Sequence, residues 1–192
     1  MVNNIQAKQL INCLYNKGKL RKDLLSSLRH SKSILDPHLI TFYPTMFNIL
    51  DDRQLSRDGK PTKAENATFL TAKVFAVLTQ GNNNLSESAN KISLFKALSA
   101  IRIGDTTSID RRFNNLLKSI SSYAYVQQTL PELVHILKSK KKDLNPLCID
   151  YEQLYSDLQK LQDSFEASRQ VGISWGQDFY SFNSANKENN NE

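Results

Sequence analysis

The sequence predicts an all-α protein made of two small helical domains joined by a polar linker. Three observations carry this expectation. Apolar residues recur at three- and four-residue spacing along most of the 192 residues. No stretch alternates polar and apolar convincingly enough to read as a strand. The periodicity stops at 51–63 and again at 82–84, where the chain is polar and punctuated by glycine, proline or an asparagine run. With 40% apolar residues there is enough to build a core, so wholesale disorder is excluded.

Ile5, Leu10, Ile11 and Leu14 line a first short helix that Gly18 closes. Leu20, Leu24, Leu25 and Leu28 line a second, with Lys19, Arg21, Lys22 and Arg29 on its other side. Asp36-Pro37 is a start signal, a capping acceptor followed by a proline whose missing N–H costs nothing at the first helical position. Pro44 breaks or restarts that helix after Tyr43. DDRQLSRDGKPTK, from Asp51 to Lys63, reads as a loop. Ala67, Leu70, Val74, Val77 and Leu78 then mark a clear helix, ended by Gly81 and Asn82–Asn84. Ser86 is the expected cap of the helix carrying Leu94, Ala97, Leu98 and Ile101, which stops near Gly104.

The cleanest stripe follows. Ile109, Phe113, Leu116, Leu117 and Ile120 fall on one side of a helix, while Arg111, Asn115 and Lys118 project opposite and Arg112 sits at the margin. Pro131 is expected to open another helix, ending in Lys138, Lys140, Lys141 and Lys142, where cations suit the C-terminal dipole. Tyr151, Leu154, Tyr155, Leu158 and Leu161 make one more. A last helix places Phe165, Trp175, Phe179 and Phe182 on a shared face, with Gly172 and Gly176 letting a neighbour come close. The expected division is a helical domain over 1–84, a helical bundle over 85–182, and a disordered polar tail over 183–192.

A formal charge of +6 and a pI near 9.3 favour an anionic partner, whether RNA, DNA, an anionic membrane surface or an acidic protein. Cys13 and Cys148 read as two buried, reduced thiols. No early apolar run resembles a signal peptide, and no stretch reaches the roughly 20 apolar residues of a membrane span. The expectation is a soluble, cytoplasmic protein.

Chemistry for catalysis is sparse. His30, His38 and His135 are scattered, without the spacing of a metal cluster, so no metal and no cofactor are expected. There is no G-x-S-x-G, and Cys13 has no activating context. Gly104-Asp105-Thr106-Thr107-Ser108 lacks the lysine of a phosphate loop. Asp51-Asp52 reads as solvated loop rather than a Mg²⁺ site. The basic residues fit better. Arg111, Arg112 and Lys118, with Lys96 and Arg102 just upstream, suit a surface that holds phosphates by charge. Phe113, Trp175 and Phe179 lie on apolar stripes and read as core rather than as base-stacking groups. A backbone-binding, sequence-indifferent surface is therefore favoured over a base reader.

The order KISLFKALS, RRFNNLL, LVHILKSKK, IDYEQLYSDL and W-G-Q-D-F-Y resembles the CasB family, the small subunit of the type I-E CRISPR Cascade surveillance complex. TFLTAKVFAVLTQGN, Thr68 to Asn82, is similar to that family's central N-terminal helix, and Ile11 to Ser31 resembles its opening helices more loosely. The likeness runs from Gln6 to Phe182 and rests on helix patterns, not on a catalytic signature. It implies two helical domains, no catalytic activity, and two copies lying head to tail along the backbone subunits. It further implies that these copies steady the guide RNA–target DNA hybrid and offer a basic path for the displaced strand. Partners would be the other Cascade subunits, a second copy, guide RNA, and target and non-target DNA. The family's basic positions fall on Lys63 and Lys73, and then on Lys96, Arg102, Arg111, Arg112, Lys118 and Lys138.

Two departures stand out. Asn114 and Asn115 occupy positions where further cations are common, and VGIS replaces a basic run before Trp175. Both weaken the case for the last helix touching nucleic acid. The rival readings are a structural helical adaptor docking on acidic proteins, and an enzyme assembled from dispersed residues.

Overall fold

The computed structural model describes residues 2–16, 18–82, 85–86, 90–102 and 106–188, with side chains over 5–16, 18–82, 85–86, 90–102 and 108–181. The chain is all-α, as expected. Helix α1 spans Val2–Leu14, and a two-residue antiparallel hairpin follows, β1 (Tyr15–Asn16) against β2 (Lys19–Leu20). Gly18 turns this hairpin at φ +81°, a conformation that costs glycine nothing. Its role is thus the turn after the helix rather than the helix end, and Leu20 belongs to β2, not to the second helix. Ile5 is largely exposed, so α1 buries the side marked by Gln6, Ala7, Leu10 and Leu14.

Helix α2 (Lys22–His30) buries Leu24, Leu25 and Leu28. Asp36 caps the following 3-10 turn, Pro37–Phe42, by accepting from the His38 amide, and α3 (Tyr43–Ile49) restarts with Pro44 in its first turn. Residues 51–62 form a loop held by its own polar groups. Gln54 accepts from the Asp51 amide, and Thr62 Oγ1 donates to the Gln54 carbonyl at 2.6 Å. The same Thr62 makes a reciprocal capping box with Glu65 and starts α4 (Lys63–Thr79).

Helix α4 is the axis of the fold. From Ala67 to Thr79 every residue is buried, because α1, α2, α3 and two later helices, α7 (Tyr123–Lys140) and α8 (Tyr151–Lys160), all pack against it. One hydrophobic cluster therefore takes residues from both halves of the chain. Helix α5 (Leu94–Ser99) is short and is capped by Ser93, not Ser86. The lag has a cause: Ile92 pairs with Ile149 in a parallel bridge, which keeps the chain extended until 93. Ser86 instead accepts from Asn145. Gly104, the expected stop, lies outside the described residues, as do Asn83 and Asn84 of the asparagine run.

Helix α6 (Thr106–Lys118) buries Ile109, Phe113 and Leu116 of the predicted stripe and half-buries Leu117, Ile120 being buried just past its end, and α7 (Tyr123–Lys140) begins eight residues before Pro131. A proline inside a helix removes one hydrogen bond. Here Val126, Leu130, Leu133, Val134 and Leu137 are all fully buried along one side, and that burial offsets the loss. Helix α8 (Tyr151–Lys160) is capped by Asp150, and α9 (Phe165–Glu188) closes the chain. The last helix continues past 182 to Glu188, and 189–192 of the expected tail lie outside the described residues. No described helix is long and apolar enough to cross a membrane.

Candidate nucleic-acid interface

Helices α5, α6 and α9 meet in an aromatic stack that fixes the orientation of α6. Phe95 lies 4.1 Å from Trp175, and Phe113 lies 4.0 Å from Phe179, each ring pair stacked. These rings are core, as the stripes predicted. Gly172 faces Ile120 so closely that an added Cβ would sit 3.1 Å from its Cδ1. At Gly176 the same test meets only Leu117, at an ordinary 3.8 Å, so the close approach is made by Gly172. The expected shared face of the last helix breaks at its start, because Phe165 is 71% exposed. The side chain of Phe182 lies outside the described residues.

With its stripe held in this way, α6 turns Arg111, Arg112 and Lys118 to solvent. Arg112 stands 3.9 Å from Glu132, both exposed, a weak surface pair. Among the described residues Arg111 and Lys118 have no acidic partner within ion-pair distance. Asn114 and Asn115 lie on the same exposed side. Arg169 of α9 joins this face by donating to the Leu117 carbonyl at 3.2 Å.

The other expected cations are placed differently. Lys73, on the all-buried α4, is 9% exposed and donates to the Ser31 carbonyl. Burial holds its pKa below the ordinary lysine value, against a smaller opposing pull from Asp36. Arg102 is 7% exposed and grips Asp110 through two bonds of 2.7 and 2.8 Å. That hydrogen bonding holds its pKa above the ordinary arginine value. Its guanidinium also lies over the Phe179 and Tyr180 rings, at 5.0 and 4.8 Å. Both cations are buried and spend their hydrogen bonds inside the protein, tying segments of the chain together. The sequence signal was their charge, but burial decides their role. Lys63 is exposed and paired with Asp163 at 2.8 Å, and Lys96 is exposed on α5.

Lys138 belongs to a second basic feature that spacing alone did not assemble. The ends of α4 and α7 border a groove of about 360 Å³ lined by His135, Lys138, Lys141, Lys142, Gln80 and Asn82, among others. Lys138 donates to Gln80 there at 3.1 Å. Burial and the nearby Lys138 and Lys73 hold His135 below the ordinary imidazole value, and burial with Arg29 lowers Lys138. Read as dipole-neutralising residues, Lys141 and Lys142 gave no hint that α4 would supply the opposite wall.

No group of His, Cys, Asp or Glu among the described residues has the geometry of a metal site. Cys13 is exposed rather than buried, because it lies off the inward side of α1, and Cys148 is half-buried. Asp150, Asp157 and Asp178 border a small cleft, but Asp157 is taken up by structure. It accepts from Trp175 Nε1 and Gln153 Nε2, each at 2.8 Å, and burial raises its pKa.

The sequence model of the CRISPR-associated protein Cse2 family matches residues 19–180. The chain belongs to the Cse2 family. Its fold is similar to the crystal structure of TTHB189, a CRISPR-associated protein of the Cse2 family from Thermus thermophilus. The TM-score is 0.64 at 18% identity, with 93% of this chain and 97% of that chain covered. At that identity the likeness speaks for the fold. A search of curated proteins returns no match. This Cse2 protein is therefore a CRISPR-associated protein and a Cascade-type subunit, which the CasB resemblance led us to expect.

Proposed function

We propose that this Cse2 protein is a non-catalytic Cascade subunit that holds nucleic-acid backbones without reading sequence. It steadies the guide RNA–target DNA hybrid and the displaced strand within the complex, beside the backbone and large subunits and a second copy of itself. The observation that carries this reading is the outer side of α6, where Arg111, Arg112 and Lys118 stand in solvent on a helix locked from behind by stacked rings. Exchanging duplex for hybrid is nearly balanced, so a few backbone contacts can tip it. Cations that release counterions supply such contacts. Lys138 and its groove, Lys96, and Lys63 are candidates for further contacts. Leu35, Ile40 and Phe47 are exposed apolar side chains and suit a protein-docking face in an assembly.

The test is reconstitution of the surveillance complex with wild-type subunit or with Arg111, Arg112 and Lys118 all changed to Ala. The triple variant is expected to enter the complex normally and to leave the displaced strand poorly protected from a single-strand nuclease. Full protection with the variant would contradict the assignment.

A further inference from the structure

We propose that the outer seam between α6 and α9 binds an unpaired strand by its bases as well as its phosphates, with Tyr180 and Phe165 as the stacking groups. This rests on the reading of α6 as a backbone-holding surface and adds strand selectivity to it.

The two helices run side by side in opposite directions. Tyr180 Oη donates to Asn114 Oδ1 at 2.9 Å, Leu117 covers Gly176 and Gly172, and Arg169 donates to the Leu117 carbonyl. At about 100° per residue, Tyr180 and Ile173 emerge on the solvent side of that seam, next to Arg169. On α6 the matching edge is Asn114, Lys118 and Arg111. One surface therefore carries the three cations Arg111, Lys118 and Arg169, flanked by exposed apolar groups. Ile173 is 63% exposed, Tyr180 38%, and Phe165, one turn before Arg169, 71%.

Exposed large apolar groups lining one helix call for an occupant, and the charge beside them selects it. A duplex presents phosphates but keeps its bases stacked inside. An unpaired strand presents both, and a cationic groove lined by aromatic rings is the general form of a single-strand site. Tyr180 is already set for this. Its ring lies over the Arg102 guanidinium, and its hydroxyl is tied to Asn114, so little freedom is lost when a base settles against it. The fork from Arg102 to Asp110 fixes α6 and Tyr180 together. This also gives Asn114 a purpose where a further cation was expected.

The experiment compares purified protein binding to a thymidine homopolymer, an abasic strand of equal length, and duplex of equal length, each over a range of salt. The wild type is expected to prefer thymidine to abasic strand by about tenfold for each base stacked. In Phe165→Leu/Tyr180→Leu that preference falls to near unity while the salt slope stays, because the cations are untouched. Tyr180→Phe, which keeps the ring, retains the preference, and Phe165→Trp fluorescence is quenched by the thymidine strand only. Equal affinity for thymidine and abasic strands, with a steep salt slope, overturns the stacking proposal and leaves backbone binding intact. Absence of salt-dependent binding to any strand overturns both. Phe165→Leu and Ile173→Ser variants that bind all strands normally but fail to enter the complex would make this face a protein-docking surface instead.

Discussion

Helix α4 is buried around nearly its whole circumference, whereas α6 buries a stripe and leaves its other side in solvent. Both carry cations, and in the sequence Lys73 of α4 and Lys118 of α6 look equally fit to hold a phosphate. The fold separates them. Lys73 is buried and ties the end of α2 through the Ser31 carbonyl. Lys118 stands in solvent because the stripe behind it is satisfied, its Phe113 packing on Phe95 and Phe179. A basic residue is a ligand contact only where its helix has a side to spare, and the number of neighbouring helices decides that.

The comparison can be tested through stability and binding measured side by side. The largest effect is expected at Arg102. Arg102→Ala strands the Asp110 carboxylate and removes the guanidinium beneath Tyr180, costing about 3 kcal/mol in a urea titration. A loss under about 0.5 kcal/mol would contradict its role as a structural tie. Lys73→Met comes next. It leaves the Ser31 carbonyl without its donor and is expected to cost about 1 kcal/mol, with the salt slope of strand binding unchanged. A reduced slope would return Lys73 to the ligand surface.

Asp157 sharpens the contrast from the interior. Burial raises its folded-state pKa above the unfolded 3.8, so the folded chain holds more protons and stability falls as pH rises between the two values. Asp157→Asn keeps an acceptor for Trp175, removes that decline, and is expected to be neutral or slightly stabilising at pH 7. Thermal melts across pH 4 to 7 give the answer, and a variant with the wild-type slope would refute it. Smallest of all is Lys63→Ala. Its pair with Asp163 is more than half exposed on both sides, so a change within about 0.5 kcal/mol is expected in the same denaturation assay.

What was legible in the sequence was local. The stripe of α6, the Asp36-Pro37 start and the loop read at 51–63 follow from spacing and backbone chemistry within a few residues, and the structure has them to within a residue or two, the loop giving way to α4 at Lys63 and the stripe running on to Ile120 past the end of α6. What was not legible depended on partners distant in the chain. Ser86 and Ser93 are equal as caps until Ile149 pairs with Ile92. Pro131 looks like a helix start until the buried residues on both sides of it are seen to share one core. Phe165 fits the apolar pattern of the last helix but precedes the point where α5 and α6 cover it. The groove at Lys138 needs the ends of α4 and α7 together, although Gln80 and Lys138 lie 58 residues apart in the chain. The division at 84 and 85 is likewise a proposal, since α4 is packed by α7 and α8 as well as by α1 and α2.

The most direct measurement is the salt dependence of single-strand binding by the wild type and by the Arg111→Ala/Arg112→Ala/Lys118→Ala variant. Three lost phosphate contacts on a single strand should flatten the log–log slope by about two, with weaker binding at every salt concentration and stability unchanged within about 0.5 kcal/mol. An unchanged slope in a folded variant would mean that the α6 face does not hold the strand.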